Sequence, residues 1–184
     1  MKALPGSSTY ARWLALVRIL TGGMWLAHAI PKFTKSDEFM PPNGLITVYV
    51  NNGLQHTSGI YHSFLAGTVQ PNLALFAELV RVGEMVTGII LVLGAFTRAG
   101  GLLGMLLTLN YLSARGPLVS SMTLQSLDFC LFVLSGVSLV LPTGRVFGID
   151  GILSRPKPQA QPVRAEFVPE PPPVAPGPST PTNP

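Results

Sequence analysis

Long apolar stretches, interrupted by single polar residues, recur along the first 141 positions. Four runs can be drawn, at about 12–30, 72–96, 99–114 and 124–141. Each approaches the ~20 residues a helix needs to cross a bilayer, and the third is short enough to require a thin or tilted fit. Pro31 lacks the N–H that the Ala27 carbonyl would accept from, so it ends or kinks the first run. The fourth stops at "PTG", 142–144. Short loops join the second run to the third and the third to the fourth, so those neighbours are antiparallel. The pattern predicts an all-α fold, an integral membrane four-helix bundle over residues 1–153. Gly22, Gly23, Gly88, Gly101, Gly104 and Gly136 fall inside the runs, where small residues let helix backbones approach.

The 34–71 connection has turn chemistry at "PPNG" (41–44) and "NNG" (51–53), then a mixed stretch, "IYHSFLAG". A loop this long usually carries function or short elements of its own, and one or two short interfacial helices are expected. Residues 154–184 are different in kind. Eleven of the last 29 residues are proline, with too little apolar content to bury a core, so this segment reads as a disordered or polyproline-like cytoplasmic tail. Both a solvated tail and a docking strap for a cytoplasmic partner are consistent with it.

Composition supports the membrane reading: apolar residues make up 47% and charged residues 11%, too few charges to cover a globule in water. The net charge of +4 then speaks to topology. Lys2, Arg12, Arg98, Arg145, Arg155, Lys157 and Arg164 fall on one side of the four runs, and Lys32, Lys35 and Arg115 on the other. Seven against three places both termini in the cytoplasm of a multi-pass inner-membrane protein. "AHA" at 27–29 has the form of a signal-peptidase site, but Arg18 within the apolar run argues against cleavage. No basic run is interleaved with aromatics, so nucleic acid is not an expected partner. Cys130, the one cysteine, has no second cysteine to pair with and reads as a small hydrophobe.

In this topology His28 and Lys32 close the first run at its outer end. Glu78, Arg81 and Glu84 lie in the outer half of the second, Asn110 and Tyr111 near the outer end of the third, and Gln125 and Asp128 open the fourth. These groups share one depth. Glu78, Arg81 and Glu84, three residues apart, cover one helix face that cannot point at lipid. Glu84 is the deepest, and an unpaired carboxylate there would be protonated. The set reads either as an ion-pair network that fixes packing or as the lining of a site for a small polar molecule or quinone headgroup, with His28, Lys32 and Asp128 as further candidates. Arg18 either reaches toward Glu84 or snorkels to the inner interface.

Absences narrow the chemistry. There is no C-x-x-C-H motif, and one histidine in a run cannot make a bis-histidine haem site. His56 and His62, six apart, have no recognised metal spacing, so no metal site is expected. "AGGLLG" (99–104) follows no strand and is not a dinucleotide loop. The chain alone thus holds no cofactor. If it works in electron transfer, the redox centres belong to a partner or it handles a diffusible quinone.

Three segments carry a resemblance: "RILTGGMWLAHAIPKF" (18–33), "ELVRVGEMVTGIILVLGAFTRAGGLLG" (78–104) and "GRVFGIDGIL" (144–153). Together they resemble the DoxX family of four-helix membrane proteins, which includes the DoxD-like subunit of thiosulfate:quinone oxidoreductase. The resemblance assigns family positions to Arg18, His28, Lys32, Glu78, Arg98, Gly144, Arg145, Gly148 and Asp150. Ala29, where the family has glycine, the long 34–71 loop and the proline-rich tail depart from its pattern. The resemblance implies a membrane subunit of an oxidoreductase complex that contacts quinone or a small sulfur substrate through its outer polar layer. The alternative is an accessory subunit of a larger membrane assembly, with no chemistry of its own.

Overall fold

The computed structural model describes residues 7–116, 122 and 126–153. The proline-rich segment 154–184 and Gln125 lie outside the described residues. Among those described there is no strand. Helices run over Ser7–Thr34 (α1), Ser36–Phe39 (α2), Leu45–His56 (α3), Gly59–Phe64 (α4), Leu73–Leu93 (α5), Thr97–Ala114 (α6), Leu127–Val140 (α7) and Ile149–Leu153 (α8). A π-helical turn, Leu65–Val69, and a 3-10 turn, Gln70–Asn72, lead from α4 into α5, and a second 3-10 turn covers Thr143–Arg145.

The four long helices α1, α5, α6 and α7 cover the four apolar runs. α1 does not stop at Pro31 but continues through it to Thr34. Three residues from the helix end, the lost N–H and ring clash affect a single turn, and the Lys35 N–H still bonds the Pro31 carbonyl at 2.8 Å. The 34–71 connection is far more helical than one or two short elements. α2 to α4 pack over the ends of α5 and α6, with Phe39 and Ile46 against Ala77, and Val50 against Leu65 and Val69. Those contacts join residues distant in sequence, so local turn signals could not reveal them.

α1 packs chiefly on α5, and α6 on α7. Among the buried residues of α1, Ala15, Arg18, Gly22, Trp25 and Ala29 recur at alternating intervals of three and four, with Thr21 beside Gly22, the spacing of a helix–helix seam. A Cβ added at Gly22 would lie 2.7 Å from the Val92 nitrogen, and one at Gly101 2.6 Å from Leu139 N and Ser135 O. Backbone contact of this closeness needs glycine. Gly88 meets the Leu26 side chain and nitrogen, and Gly104 the Ser135 and Trp25 side chains, whereas Gly23 faces open space and Gly136 meets only the flexible Met105 side chain.

The interior of the bundle is unusually polar. Thr21, Thr87, Thr108, Ser135 and Ser138 are buried, and several return their hydroxyls to a carbonyl one turn back in their own helix. Trp25 Nε1 donates to Ser135 Oγ across the bundle at 3.3 Å. Trp25, Leu91, Leu112 and Leu131 are buried with them, but many large apolar side chains point the other way: Leu20, Leu79, Ile89, Leu93, Leu106 and Val133 are exposed. By length and composition one helix among the described residues, over Thr9–Thr34, is long and apolar enough to cross a membrane, and Leu127–Val140 is apolar but shorter.

Candidate functional site

At one end of the bundle a cavity of about 350 Å³ opens between the helix ends and the 34–71 segment. Its polar floor comes from three long helices. Lys32, in the last turn of α1, places Nζ 2.6 Å from both carboxylate oxygens of Glu84 on α5. Tyr111 on α6 donates its hydroxyl to Glu84 Oε1 at 2.8 Å. The pair is well shielded, with side chains 19% and 2% exposed for Lys32 and Glu84. The ammonium also lies 4.9 Å from the centre of the Phe39 ring, where the ring's negative face favours a cation.

A second ion pair stands at the rim. Arg115, just past α6, holds Asp128 in the first turn of α7 at 2.7 Å and donates to Ser126 Oγ at 3.2 Å. The roof is tied down by Tyr61 of α4, whose hydroxyl lies 2.8 Å from Asn110 Oδ1. Burial pushes the Tyr61 phenol up to about 12, so it remains a donor through the physiological range. Apolar walls are supplied by α3, the π-helical turn and α5, including Ile46, Val50, Leu65 and Phe76.

Of the residues singled out in the sequence, His28, Lys32, Glu84 and Asp128 line this cavity. His28 does so with an exposed side chain. Glu78 and Arg81 are not part of it. They form their own two-pronged pair along α5, with Arg81 stacked 4.7 Å from the centre of the Phe33 ring. The expected single cluster therefore divides in two. Three residues turn a helix by about 300° and six by about 240°, so Glu84 faces the interior while Glu78 turns toward the surface. Glu84 is also not an unpaired acid, because Lys32 reaches it. Tyr61, Asn110, Tyr111 and Arg115 complete the site. Asn110 and Tyr111 stand out in the sequence only as polar residues at the right depth, and Tyr61 and Arg115 needed the folded chain to join them.

Arg18 takes neither expected position. It is fully buried at the opposite end of the bundle, where its guanidinium donates to the carbonyls of Thr143 at 2.9 Å and Phe147 at 2.8 Å. The loop after α7 folds back to supply these acceptors. Asp150, in the first turn of α8 after this loop, accepts from Phe96 N at 2.7 Å, Thr97 N at 3.0 Å and Thr97 Oγ1 at 2.7 Å. Burial raises the Asp150 pKa, but the Thr97 and Phe96 hydrogen bonds and the Arg18 charge outweigh it and hold the carboxyl below its ordinary value. This is a latch that closes the bundle. Arg98 and Arg145 lie nearby with exposed side chains. Among the described residues no group of three or more His, Cys, Asp or Glu is placed to hold a metal ion.

A family profile described as "TQO small subunit DoxD" matches residues 13–164. That range takes in the cavity, the latch, most of α1 and the other three long helices. No curated protein and no solved structure matches the chain.

Proposed function

The chain belongs to the DoxD family, and from that premise we propose that it is an integral membrane subunit of a thiosulfate:quinone oxidoreductase-like complex whose cavity receives a quinone ring. The distribution of side chains supports the membrane part. Large apolar residues outside, with Gly, Ser and Thr at the helix contacts, suit helices solvated by lipid, which associate by close packing and not by hydrophobic collapse. α1, α5, α6 and α7 are then the four spans. The Lys and Arg distribution sets both termini in the cytoplasm of an inner-membrane protein, with the cavity at the outer face. Other subunits of the complex carry the redox chemistry.

The observation that carries the quinone reading is the Lys32–Glu84–Tyr111 floor beneath apolar walls. Lys32 has three N–H donors, and its bonds to the two Glu84 oxygens leave one for a ring carbonyl. Asn110 and Arg115 add donors at the rim. Both cations of the cavity are paired with carboxylates, Lys32 with Glu84 and Arg115 with Asp128. A site balanced in this way suits an uncharged ring with carbonyl acceptors better than a sulfur oxyanion. Bound quinone supplies a two-electron acceptor; this chain orients the ring and excludes water from it.

A second reading has one observation in its favour: Glu84 is fully satisfied within the chain, as a purely structural network would be. The chain would then be an accessory subunit, with its proline-rich tail available to a cytoplasmic partner. One experiment separates the two. Val50→Phe adds bulk to the cavity wall without touching the ion pairs. In the purified native complex it should raise the KM for a short-chain quinone by about tenfold, roughly 1.4 kcal/mol of lost binding, with assembly intact. An unchanged KM would remove the quinone reading and leave the accessory one.

A further inference from the structure

The end of the bundle opposite the cavity carries a surface that the proposed quinone site does not use. Phe96 and Phe147 both have left-handed backbones, φ 51° and 50°, and both side chains are 71% exposed. They are the only non-glycine residues with positive φ among the described residues. A bulky residue is a true outlier in that region, and such strain persists only where the surroundings impose it. Here the latch imposes it: Asp150 accepts the Phe96 N–H, and Arg18 donates to the Phe147 carbonyl. Glycine would make either turn without strain, so the turns themselves do not account for two outward-facing phenyl rings.

The surroundings point to what the rings meet. Trp13, exposed on α1, lies five residues before Arg18, about 7 Å further along the helix. Ile152 of α8 is exposed beside the latch. Arg98 and Arg145 make no ion pair among the described residues. The acid at this end, Asp150, is taken up by backbone N–H groups and Thr97. Past Leu153 the sequence adds Arg155, Lys157 and Arg164, the first two of them close behind it in the chain, against Glu166 and Glu170 further on. Exposed aromatics with uncompensated arginines, where spanning helices end, match the chemistry of a headgroup layer, and guanidinium groups bind phosphate in two-pronged fashion.

We propose that this end of the bundle is a docking surface for anionic phospholipid headgroups, with Trp13, Phe96 and Phe147 at the acyl boundary and Arg98 and Arg145 on the phosphates. The latch is then a device that presents two rings to the bilayer. This rests on the reading of the long helices as spans, and the test separates the two ideas.

The full chain is placed in lipid nanodiscs in a Trp13→Phe background, and the signal of the remaining buried Trp25, measured in that background alone, is subtracted. Phe147→Trp reports on the proposed surface and Leu106→Trp on the middle of α6. Phosphatidylglycerol or phosphatidylcholine, brominated close to the headgroup, is supplied at equal mole fraction, and chains brominated near their ends report on the centre. Phe147→Trp should be quenched about twofold more by the anionic lipid. Arg98→Gln with Arg145→Gln should abolish that preference, and Arg98→Lys with Arg145→Lys should retain it. If Leu106→Trp escapes the deep bromines, the membrane reading itself fails. If Leu106→Trp is quenched and Phe147→Trp is not, or both lipids quench Phe147→Trp equally, the headgroup surface is overturned alone. Protection of Phe147→Trp from lipid only in the native complex would assign the surface to a protein partner, which also overturns it. A measurement without variants gives an independent answer. Offered both lipids at equal concentration, the unaltered chain should retain phosphatidylglycerol preferentially in native mass spectrometry, and equal retention would contradict the proposal.

Discussion

Lys32 Nζ stands 2.6 Å from each carboxylate oxygen of Glu84, tying the end of α1 to the middle of α5 across 52 residues of sequence. The two-pronged geometry, the Tyr111 hydroxyl and the Phe39 ring offset the cost of taking both charges out of water. The contact fixes the relative height of two helices and forms the floor of the cavity.

Removing one member of such a pair strands the other. Glu84→Ala and Lys32→Ala should each lower stability in detergent by about 3–5 kcal/mol, while Lys32→Met with Glu84→Leu recovers most of the loss. Glu78→Ala should cost no more than about 1 kcal/mol, because the Glu78 side chain is 43% exposed and its pair with Arg81 is screened. Thermal unfolding of the four variants checks this. Additive losses in the double variant, or a Glu78→Ala loss as large as that of Glu84→Ala, would contradict it.

Asp150 gives the latch a definite pH dependence. Its folded pKa lies below the ordinary value, so its contribution is fully present above the unfolded pKa of about 4. It is lost as pH falls through the lower folded value. Asp150→Asn should therefore lower the melting temperature at neutral pH, and the gap from the unaltered chain should close on acidification below about pH 4. A gap that does not narrow at all as the pH falls below about 4 would show that the charge of Asp150 is not what matters.

Tyr61 behaves in the opposite sense. Its pKa is raised to about 12, so the neutral donor's contribution is present below the free phenol value of about 10 and disappears as pH rises through 12. Tyr61→Phe should cost about 1 kcal/mol and speed amide exchange over residues 59–69, the stretch that roofs the cavity. Exchange unchanged in this segment would mean that the Asn110 bond does not hold the roof.

Two glycines on different long helices, Gly101 of α6 and Gly23 of α1, should respond in opposite directions. Gly101→Ala places a Cβ against the α7 backbone and should destabilise by about 1–3 kcal/mol. Gly23→Ala meets nothing within 4 Å and should gain roughly 0.5–1 kcal/mol from helix propensity. The melting temperatures of the two variants rank them directly, and equal effects would refute the close α6–α7 contact.

The proposed topology is open to labelling in intact cells. In a Cys130→Ser background, Ser58→Cys should react with an impermeant thiol reagent, and Ser179→Cys only after the membrane is opened. The reverse pattern would invert the orientation drawn from the Lys and Arg distribution.

By itself the sequence determined the four long helices and most of their approximate ends, because apolar runs and Pro142 act locally. It also determined the family, through Arg18, "GRVFGID" and the segment from Glu78 to Gly104. Lys32 and Glu84 stood out for the same local reason, as charges inside apolar runs. Which charges meet was decided by the tertiary structure. The phase of α5 turns Glu84 inward and Glu78 outward, and the height of α1 against α5 brings Lys32, not Arg18, to Glu84. The chain's return after α7 carries the carbonyls of residues 143–147 to Arg18, a partner no spacing rule could supply. The cavity roof belongs to the same class. α2 to α4 carry few strong local signals, and they take their place by burying Phe39, Ile46, Val50 and Leu65 against helix ends that are remote in sequence. Local propensity acts within a few residues, whereas charge pairing and burial act through space, and here they assemble the site.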